Sequence, residues 1–241
     1  MLVQLPKVSI VLPTFNGAKY IAQSIKSCLD QTYRNIELIV IDDASSDDTV
    51  EKVKTFRDDR MRLVPLEKNQ GHIAALNKGF AMSTGDFLTW TSDDNYYGPQ
   101  AIEKMVEELE DPGGTDFVYT QYQVIDENGN NQRLGRTEDP DYLDVDNCVG
   151  GCFLYRRKVY ETIGDFNPEA FLAEDYEYWL RVRQKFRMKK IDSVHYFYRM
   201  HGTSLTGVHK EEKVQRQVAL VRDRFVPKWK RLLWRVKQII K

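Results

Sequence analysis

Four short apolar runs, each breaking off in a polar cluster, limit what this chain can fold into. VSIVLP (Val8–Pro13) runs into TFN, and IELIVID (Ile36–Asp42) into the acidic DDASSDD. MRLVPL runs into NQG, and DFLTWT (Asp86–Thr91) into SDDN. Amphipathic segments separate the runs. Tyr20–Gln31 sets Ile21, Ile25, Cys28 and Leu29 on one helical face, Thr49–Phe56 reads as a helix capped by Ser46 or Asp47, and Gly71–Met82 carries Ile73, Leu76, Asn77 and Phe80 at helical spacing. Buried strands alternating with helices give βαβ units and a mainly parallel sheet. Ligands of such sheets bind beyond the carboxyl ends of the strands, where all four polar clusters fall, so the sheet is expected to serve one site.

The second half changes character. Pro99 suits the first turn of a helix that turns Ile102, Met105, Val106 and Leu109 inward. Alternating strands flank an Asn128-Gly129 turn, a hairpin signal. The acidic stretch Thr137–Asp146 reads first as a solvated loop and second as a mobile lid over an acceptor site. Strand character returns at GGCFLYRR, Glu174–Phe186 reads as a helix, and His195–His201 as extended chain. The expected division is 1–206 as one α/β domain, with 1–98 and 99–206 as its halves, and 207–241 as a helical extension.

Composition narrows the function. With 35 basic and 36 acidic residues the formal net charge is −1, which by itself argues neither for nor against nucleic acid, and no nucleic-acid partner is expected. Cys28, Cys148 and Cys152 have neither disulfide nor zinc spacing and read as reduced, buried thiols of a cytoplasmic protein. The N-terminus lacks the pattern of a secretory leader, and no run approaches the roughly 20 apolar residues of a membrane span. Val226–Lys241 carries six cations, no acid, and Trp229, Leu232, Leu233, Val236, Ile239 and Ile240 at helical spacing. Such a helix either lies on an anionic membrane or packs on the domain or on a second copy of the chain.

Four constellations carry candidate chemistry. Asp42 and Asp43 either cap the following helix or present a carboxylate to the ring N–H of uracil, thymine or guanine. Asp93 and Asp94, followed by Asn95, are either ordinary turn acids or hard oxygen ligands for Mg²⁺ or Mn²⁺ on a pyrophosphate. Glu174 and Asp175 open a helix, as dipole partners or as a general base acting on a hydroxyl. His201, in YRMHGTSLT, is either structural or closes over phosphates or a metal.

Taken together, these blocks resemble the family 2 inverting glycosyltransferases, nucleotide-sugar enzymes of the GT-A fold. The similarity runs from about Val8 to about Thr206, and it is carried by VSIVLPTFNGAKYIAQSIKSCLDQTYRNIELIVIDDASSDDT, NQGHIAALNKGFAMSTGDFLTWTSDDN, AEDYEYWLR and YRMHGTSLT. It implies a Rossmann-like sheet flanked by helices, a smaller mixed acceptor-side region and C-terminal helices. It implies nucleotide contacts from Thr14, Asn16, Asp43, Asn69 and Asp93, and approach of the donor sugar at Gly150 and Gly151. Asp94 and His201 would hold Mn²⁺ or Mg²⁺, Asp175 would be the base, and Glu174 would orient the acceptor. The acidic motif here is SDDN rather than D-x-D, and Leu76 stands where many members carry arginine. The implied activity is transfer from a nucleotide-diphospho-sugar, UDP-linked by preference, to an acceptor hydroxyl in cell-surface polysaccharide or glycolipid synthesis. Implied partners are the donor, a sugar or lipid-linked acceptor, and a second copy of the chain. A sugar nucleotidyltransferase or an inactive nucleotide-sugar-binding module are the alternatives. The single glycine of PTFNGAKY speaks against the former, and the retained acids against the latter.

Overall fold

The structure is a computed structural model that describes residues 5–209 and 211–230. Its first half follows the alternation of the sequence. Strands β1 (Val8–Thr14), β2 (Ile36–Asp42), β3 (Met61–Pro65) and β4 (Phe87–Trp90) are mutually parallel in the order β3-β2-β1-β4. Helices α1 (Ile21–Leu29), α2 (Thr49–Val53) and α3 (His72–Met82) make the crossovers. The strands read as unbroken apolar runs because both faces of the sheet are covered. Ile10, Leu12, Leu38 and Val40 pack toward α1, while Val11, Ile39 and Ile41 pack toward α3. Each such side chain, fully buried, contributes about 1.5–3 kcal/mol.

The remaining strands extend the sheet beyond β4. They are β5 (Tyr96–Tyr97), β6 (Phe117–Ile125), β7 (Asn131–Leu134), β8 (Phe153–Arg156) and β9 (Met188–Arg199). The order continues β4-β8-β6-β9-β5, with β7 on β6 as the hairpin partner. β8 is antiparallel to both β4 and β6, and β6 runs parallel to β9. Helix α4 (Ala101–Glu110) buries the four expected apolar residues, but Pro99 precedes its cap, Gln100, instead of lying in its first turn. Helices α5 (Arg157–Ile163) and α6 (Glu174–Arg183) cover the other face. The last helical segment expected to reach Phe186 ends as α6 at Arg183, and the Phe186 N–H then closes a turn on the Val182 carbonyl at 2.9 Å.

The acidic stretch is not a solvated loop. Residues Pro140–Asp144 form a 3-10 turn with Tyr142 and Leu143 buried. Tyr176 donates to the Leu143 carbonyl at 2.7 Å, and Arg183 grips Asp144 with both guanidinium nitrogens. Beyond the short α7 (Leu205–Val208), helix α8 (Glu211–Phe225) docks Val221 and Val226 into the core that holds α6, and Arg222 donates to the Val145 carbonyl at 2.9 Å. Most of the basic amphipathic tail, 231–241, lies outside the described residues. All three cysteines are free and buried. Among the described residues no helix is long and apolar enough to cross a membrane.

Candidate functional site

The carboxyl ends of β1, β2 and β4 are tied to one another by their polar residues. Thr14, buried at the end of β1, donates its hydroxyl to Asp93 Oδ2 at 2.5 Å. Asn16 accepts from the Ser46 N–H at 2.8 Å, and its own N–H donates to Ser45 Oγ at 2.9 Å. A Cβ on Gly17 would stand 2.1 Å from Asp93 Oδ2 and 2.6 Å from Thr14 Oγ1, so only glycine permits this approach. Three non-glycine residues in the described chain have positive φ: Asn16 (54°), Ala44 (61°) and Leu172 (75°). Each sits within two residues of a candidate site group, where the surrounding contacts hold an otherwise costly backbone.

Asp43 is buried and accepts from the N–H groups of Gln70 and Gly71 at 2.7 and 2.8 Å. A carboxylate offers about four acceptor positions, so capacity remains for a ligand N–H. Asp42, its neighbour, keeps one buried oxygen without a partner. Asn69 lies exposed just before these amides. The N-cap of α2 is Asp48, not the expected Ser46 or Asp47, and its side chain makes no capping bond; Asp47, one residue earlier, accepts from the Thr49 N–H at 3.0 Å.

The acid pair differs internally. Burial, followed by the charge of Asp94, pushes the Asp93 carboxyl up to about 7. Asp94 Oδ2 meets His201 Nε2 at 2.9 Å, while its Oδ1 is buried without a partner. Burial raises Asp94 as well, and His201 opposes the shift. His201 in turn has Nδ1 2.9 Å from Thr203 Oγ1 and its ring 5.0 Å from that of Tyr20. Among the described residues no cluster of three or more His, Cys, Asp or Glu side chains forms a closed metal cage. An unpartnered carboxylate oxygen beside an imidazole nevertheless suits a hard divalent cation that completes its shell with water and substrate phosphate. Asn95 is not available to such an ion on the same terms, because its Oδ1 accepts from the Arg199 N–H at 2.7 Å.

Across the site, α6 presents its two acids differently. Glu174 is buried, with Oε1 3.8 Å from His72 Nε2 and Oε2 without a partner. Burial and the neighbouring Asp175 charge raise its pKa. Asp175 Oδ2 accepts from Asn147 Nδ2 at 2.7 Å; burial raises this carboxyl too, and the N–H donors of Tyr176 and Asn147 oppose the rise. His72 is the first residue of α3, directly after Gly71, so one turn of chain touches both Asp43 and Glu174. Gly150 and Gly151 are explained without a sugar: a Cβ would meet the Tyr122 ring at 2.6 Å and the Tyr196 ring at 2.7 Å, respectively. Tyr196 is itself held in the core, with its OH 2.7 Å from Thr91 Oγ1.

Sequence reading missed the residues that hold these groups. Arg199, only 3% exposed, donates to the Asp94 carbonyl at 3.0 Å, to those of Asp126 and Glu127, and to Gln23 Oε1 at 2.7 Å. It thereby clamps the acid-pair loop, α1 and the β6–β7 hairpin together. His72, Trp90 and Asn147 also went unsignalled, because their partners lie far away in sequence and no spacing marks them.

With this geometry in view, the chain was compared with known proteins. Residues 9–164 match the model of a family described as glycosyl transferase family 2. A protein of Rickettsia conorii described as an uncharacterized glycosyltransferase is 32% identical over 223 residues, which is 85% of this chain and 36% of that protein. The chain thus spans about a third of that relative's length. Among solved structures, Staphylococcus aureus TarS 1–349 in complex with UDP-GlcNAc superposes with a TM-score of 0.73 at 19% identity, over 89% of this chain and 66% of that one. The mannosyltransferase PcManGT of Pyrobaculum calidifontis, in complex with GDP-Man and Mn²⁺, gives 0.68 at 21% identity, over 91% and 64%.

Proposed function

The chain belongs to glycosyl transferase family 2, and on that footing we propose that it moves a sugar from a nucleotide-diphospho-sugar to an acceptor hydroxyl, with inversion at the anomeric carbon. One observation carries the reading. The Gly71–His72 corner of α3 joins the carboxylate suited to a base N–H, Asp43, to the acids of α6. Donor recognition and proton removal then share one wall.

In this reading Thr14, Asn16, Asp43 and Asn69 hold the nucleoside, with Asp43 accepting the ring N–H of a uracil or guanine. A UDP-sugar is the first expectation, from the resemblance, and a GDP-sugar the second; the two structural neighbours hold UDP-GlcNAc and GDP-Man. Asp175 takes the proton of the acceptor hydroxyl as its oxygen forms the new bond to the anomeric carbon and the bond to the diphosphate breaks. A positioned base of this kind contributes roughly 10²–10⁴-fold. Burial raises its pKa, and Asn147 fixes its orientation. Asp94 and His201, with Asp93 beside them, would hold Mn²⁺ or Mg²⁺, which when bound supplies electrostatic stabilisation of the leaving diphosphate. Arg199 keeps the loop that carries these groups in register.

A lipid-linked or polysaccharide acceptor fits the basic composition of 226–241, in the described part of which Trp229 is 59% exposed. Binding of that end to anionic vesicles, against a chain ending near Arg224, tests the idea. The function itself is tested by a thermal-shift screen of UDP-, dTDP- and GDP-sugars with and without Mn²⁺, followed by product analysis with sugar acceptors. Release of nucleoside diphosphate is the expected result. Pyrophosphate would point to a nucleotidyltransferase, and stabilisation without turnover to a binding module.

A further inference from the structure

We propose that His72, Trp90 and Glu174 form a polar pocket that reads one hydroxyl of the transferred sugar, with His72 and Trp90 as its specificity-determining residues. The proposal rests on the glycosyl-transfer reading above and adds to it the residues that choose the sugar.

Three unsatisfied or ambivalent groups meet there. Glu174 is 6% exposed, and its Oε2 is a buried acceptor without a partner. The indole N–H of Trp90 is a buried donor without a partner. Between them stands His72, its ring 5.4 Å from the Trp90 ring in an edge-on arrangement and its Nε2 3.8 Å from Glu174 Oε1, too long for a hydrogen bond. Burial holds His72 down at about 4, so it is a neutral imidazole with one donor and one acceptor. A buried donor and a buried acceptor, one on each of the two side chains that flank His72, are costly when left unmade unless something supplies both. An alcohol does, since its oxygen accepts from the indole while its proton goes to the carboxylate.

The placement suits a sugar. Trp90 closes β4 three residues before Asp93, on the diphosphate side, and Glu174 adjoins Asp175, on the base side. A sugar under transfer must lie between these two. A site built to bond a hydroxyl rejects an isomer that points it elsewhere, because its own polar groups then stay unpaired.

The test is calorimetric titration, at fixed Mn²⁺, of the unaltered chain and of His72→Ala, His72→Gln and Trp90→Phe. The titrants are UDP, UDP-glucose, its C4 epimer UDP-galactose, UDP-GlcNAc, GDP and GDP-mannose. The unaltered chain should spread these sugars over about tenfold or more in affinity relative to the bare nucleotide. Each variant should keep nucleotide affinity within about twofold, which also shows that it is folded, and compress the spread about tenfold. An unchanged spread in variants that still bind nucleotide overturns the pocket and leaves it as the seat of a resident water only. An unaltered chain that binds nucleotide but ranks no sugar overturns the pocket alone. One that binds no nucleotide overturns the glycosyl-transfer reading and the pocket with it.

Discussion

The halves of the chain before and after residue 98 hold their candidate groups in different ways. Up to residue 98 the chain anchors them largely through backbone: Asp43 on two successive N–H groups, and Asn16 on the amide and hydroxyl of the segment after β2. In the second half each acid depends on a distant side chain, Asp175 on Asn147 and Glu174 on the neighbourhood of His72, and Asp94, at the end of the first half, is the exception there, since it leans on His201 of the second. Backbone anchoring gives a fixed frame, as recognition of a flat, rigid base requires. Side-chain anchoring leaves the proton affinity and orientation of each acid adjustable through one partner, which suits groups that must move protons and charge.

The largest expected effects fall where the two halves should separate. Asp175→Asn should lower kcat by about 10²–10⁴-fold while leaving nucleotide affinity within about twofold. Calorimetry beside a nucleoside-diphosphate release assay reads both, and a joint loss would mean that the frame itself has moved. Asp94→Ala removes a charged contact worth about 1.5–3 kcal/mol, so Mn²⁺-dependent nucleotide binding should weaken about 10- to 100-fold. Residual binding should then no longer respond to chelation of the metal; an unchanged chelator response would place the cation elsewhere.

What could be read in advance follows the same divide. In the first half strand, polar end and helix are adjacent in sequence, so period and composition located β1 to β4 and the polar residues at their carboxyl ends. In the second half the antiparallel β8 is inserted between β4 and β6, and β9 pairs with strands far from it in sequence. No local pattern encodes that order. The acidic stretch 137–146 looked like solvent-exposed loop because its two anchors, Tyr142 and Leu143, are too few to show a period, and because its cationic partner Arg183 lies about forty residues on. Gly150 and Gly151 were singled out by the resemblance alone, and no local pattern announced that their Cβ positions face Tyr122 and Tyr196. Nothing in the sequence singles out Arg199, yet burial against four oxygen acceptors makes it a keystone of the loop.

Two glycines sharpen the idea of a rigid frame. Gly17→Ala crowds Asp93 and Thr14 at the ligand end of the sheet, whereas Gly85→Ala meets the Lys7 carbonyl and Ser9 N–H, each at 2.7 Å, at the opposite end. Overpacking costs about 1–3 kcal/mol in either place. Gly17→Ala should lose nucleotide affinity out of proportion to its melting temperature, because the Asp93 side chain can swing away. Gly85→Ala should lose stability alone, because backbone cannot. Equal losses in both assays for both variants would remove the distinction between the two ends.

The second half should show the opposite sign at Glu174. Its raised pKa means that the folded chain holds a proton there which the unfolded chain releases. The corresponding stability is full below the ordinary carboxyl pKa and is lost as pH rises from about 4.5 through the folded value. Glu174→Gln removes that loss. It should stabilise the fold by about 1–3 kcal/mol at pH 8 and by little at pH 4, as measured by urea unfolding. A variant destabilised equally at both values would mean that the carboxylate is structurally paired, and the view of this half as strained for chemistry would fail.

The smallest effects test whether the acidic stretch belongs to the frame. Arg183 reaches both Asp144 and Asp141, but on unequal terms. The Asp144 carboxylate is 18% exposed and takes two nitrogens at 2.9 and 3.1 Å, while that of Asp141 is 83% exposed and takes one at 3.4 Å. A two-pronged, partly desolvated pair is worth more than a single exposed contact that salt screens. Asp144→Ala should therefore cost about 1–2 kcal/mol and Asp141→Ala under about 0.5, with only the second difference vanishing in 0.5 M salt. Because Leu143 lies between these acids and accepts from Tyr176 on α6, slackening Asp144 should also loosen the start of the helix that bears Asp175. Amide exchange at Tyr176 and Glu177 should then speed up in Asp144→Ala and not in Asp141→Ala. Exchange unchanged in both would cut the stretch off from the catalytic side and return it to the role of a surface loop.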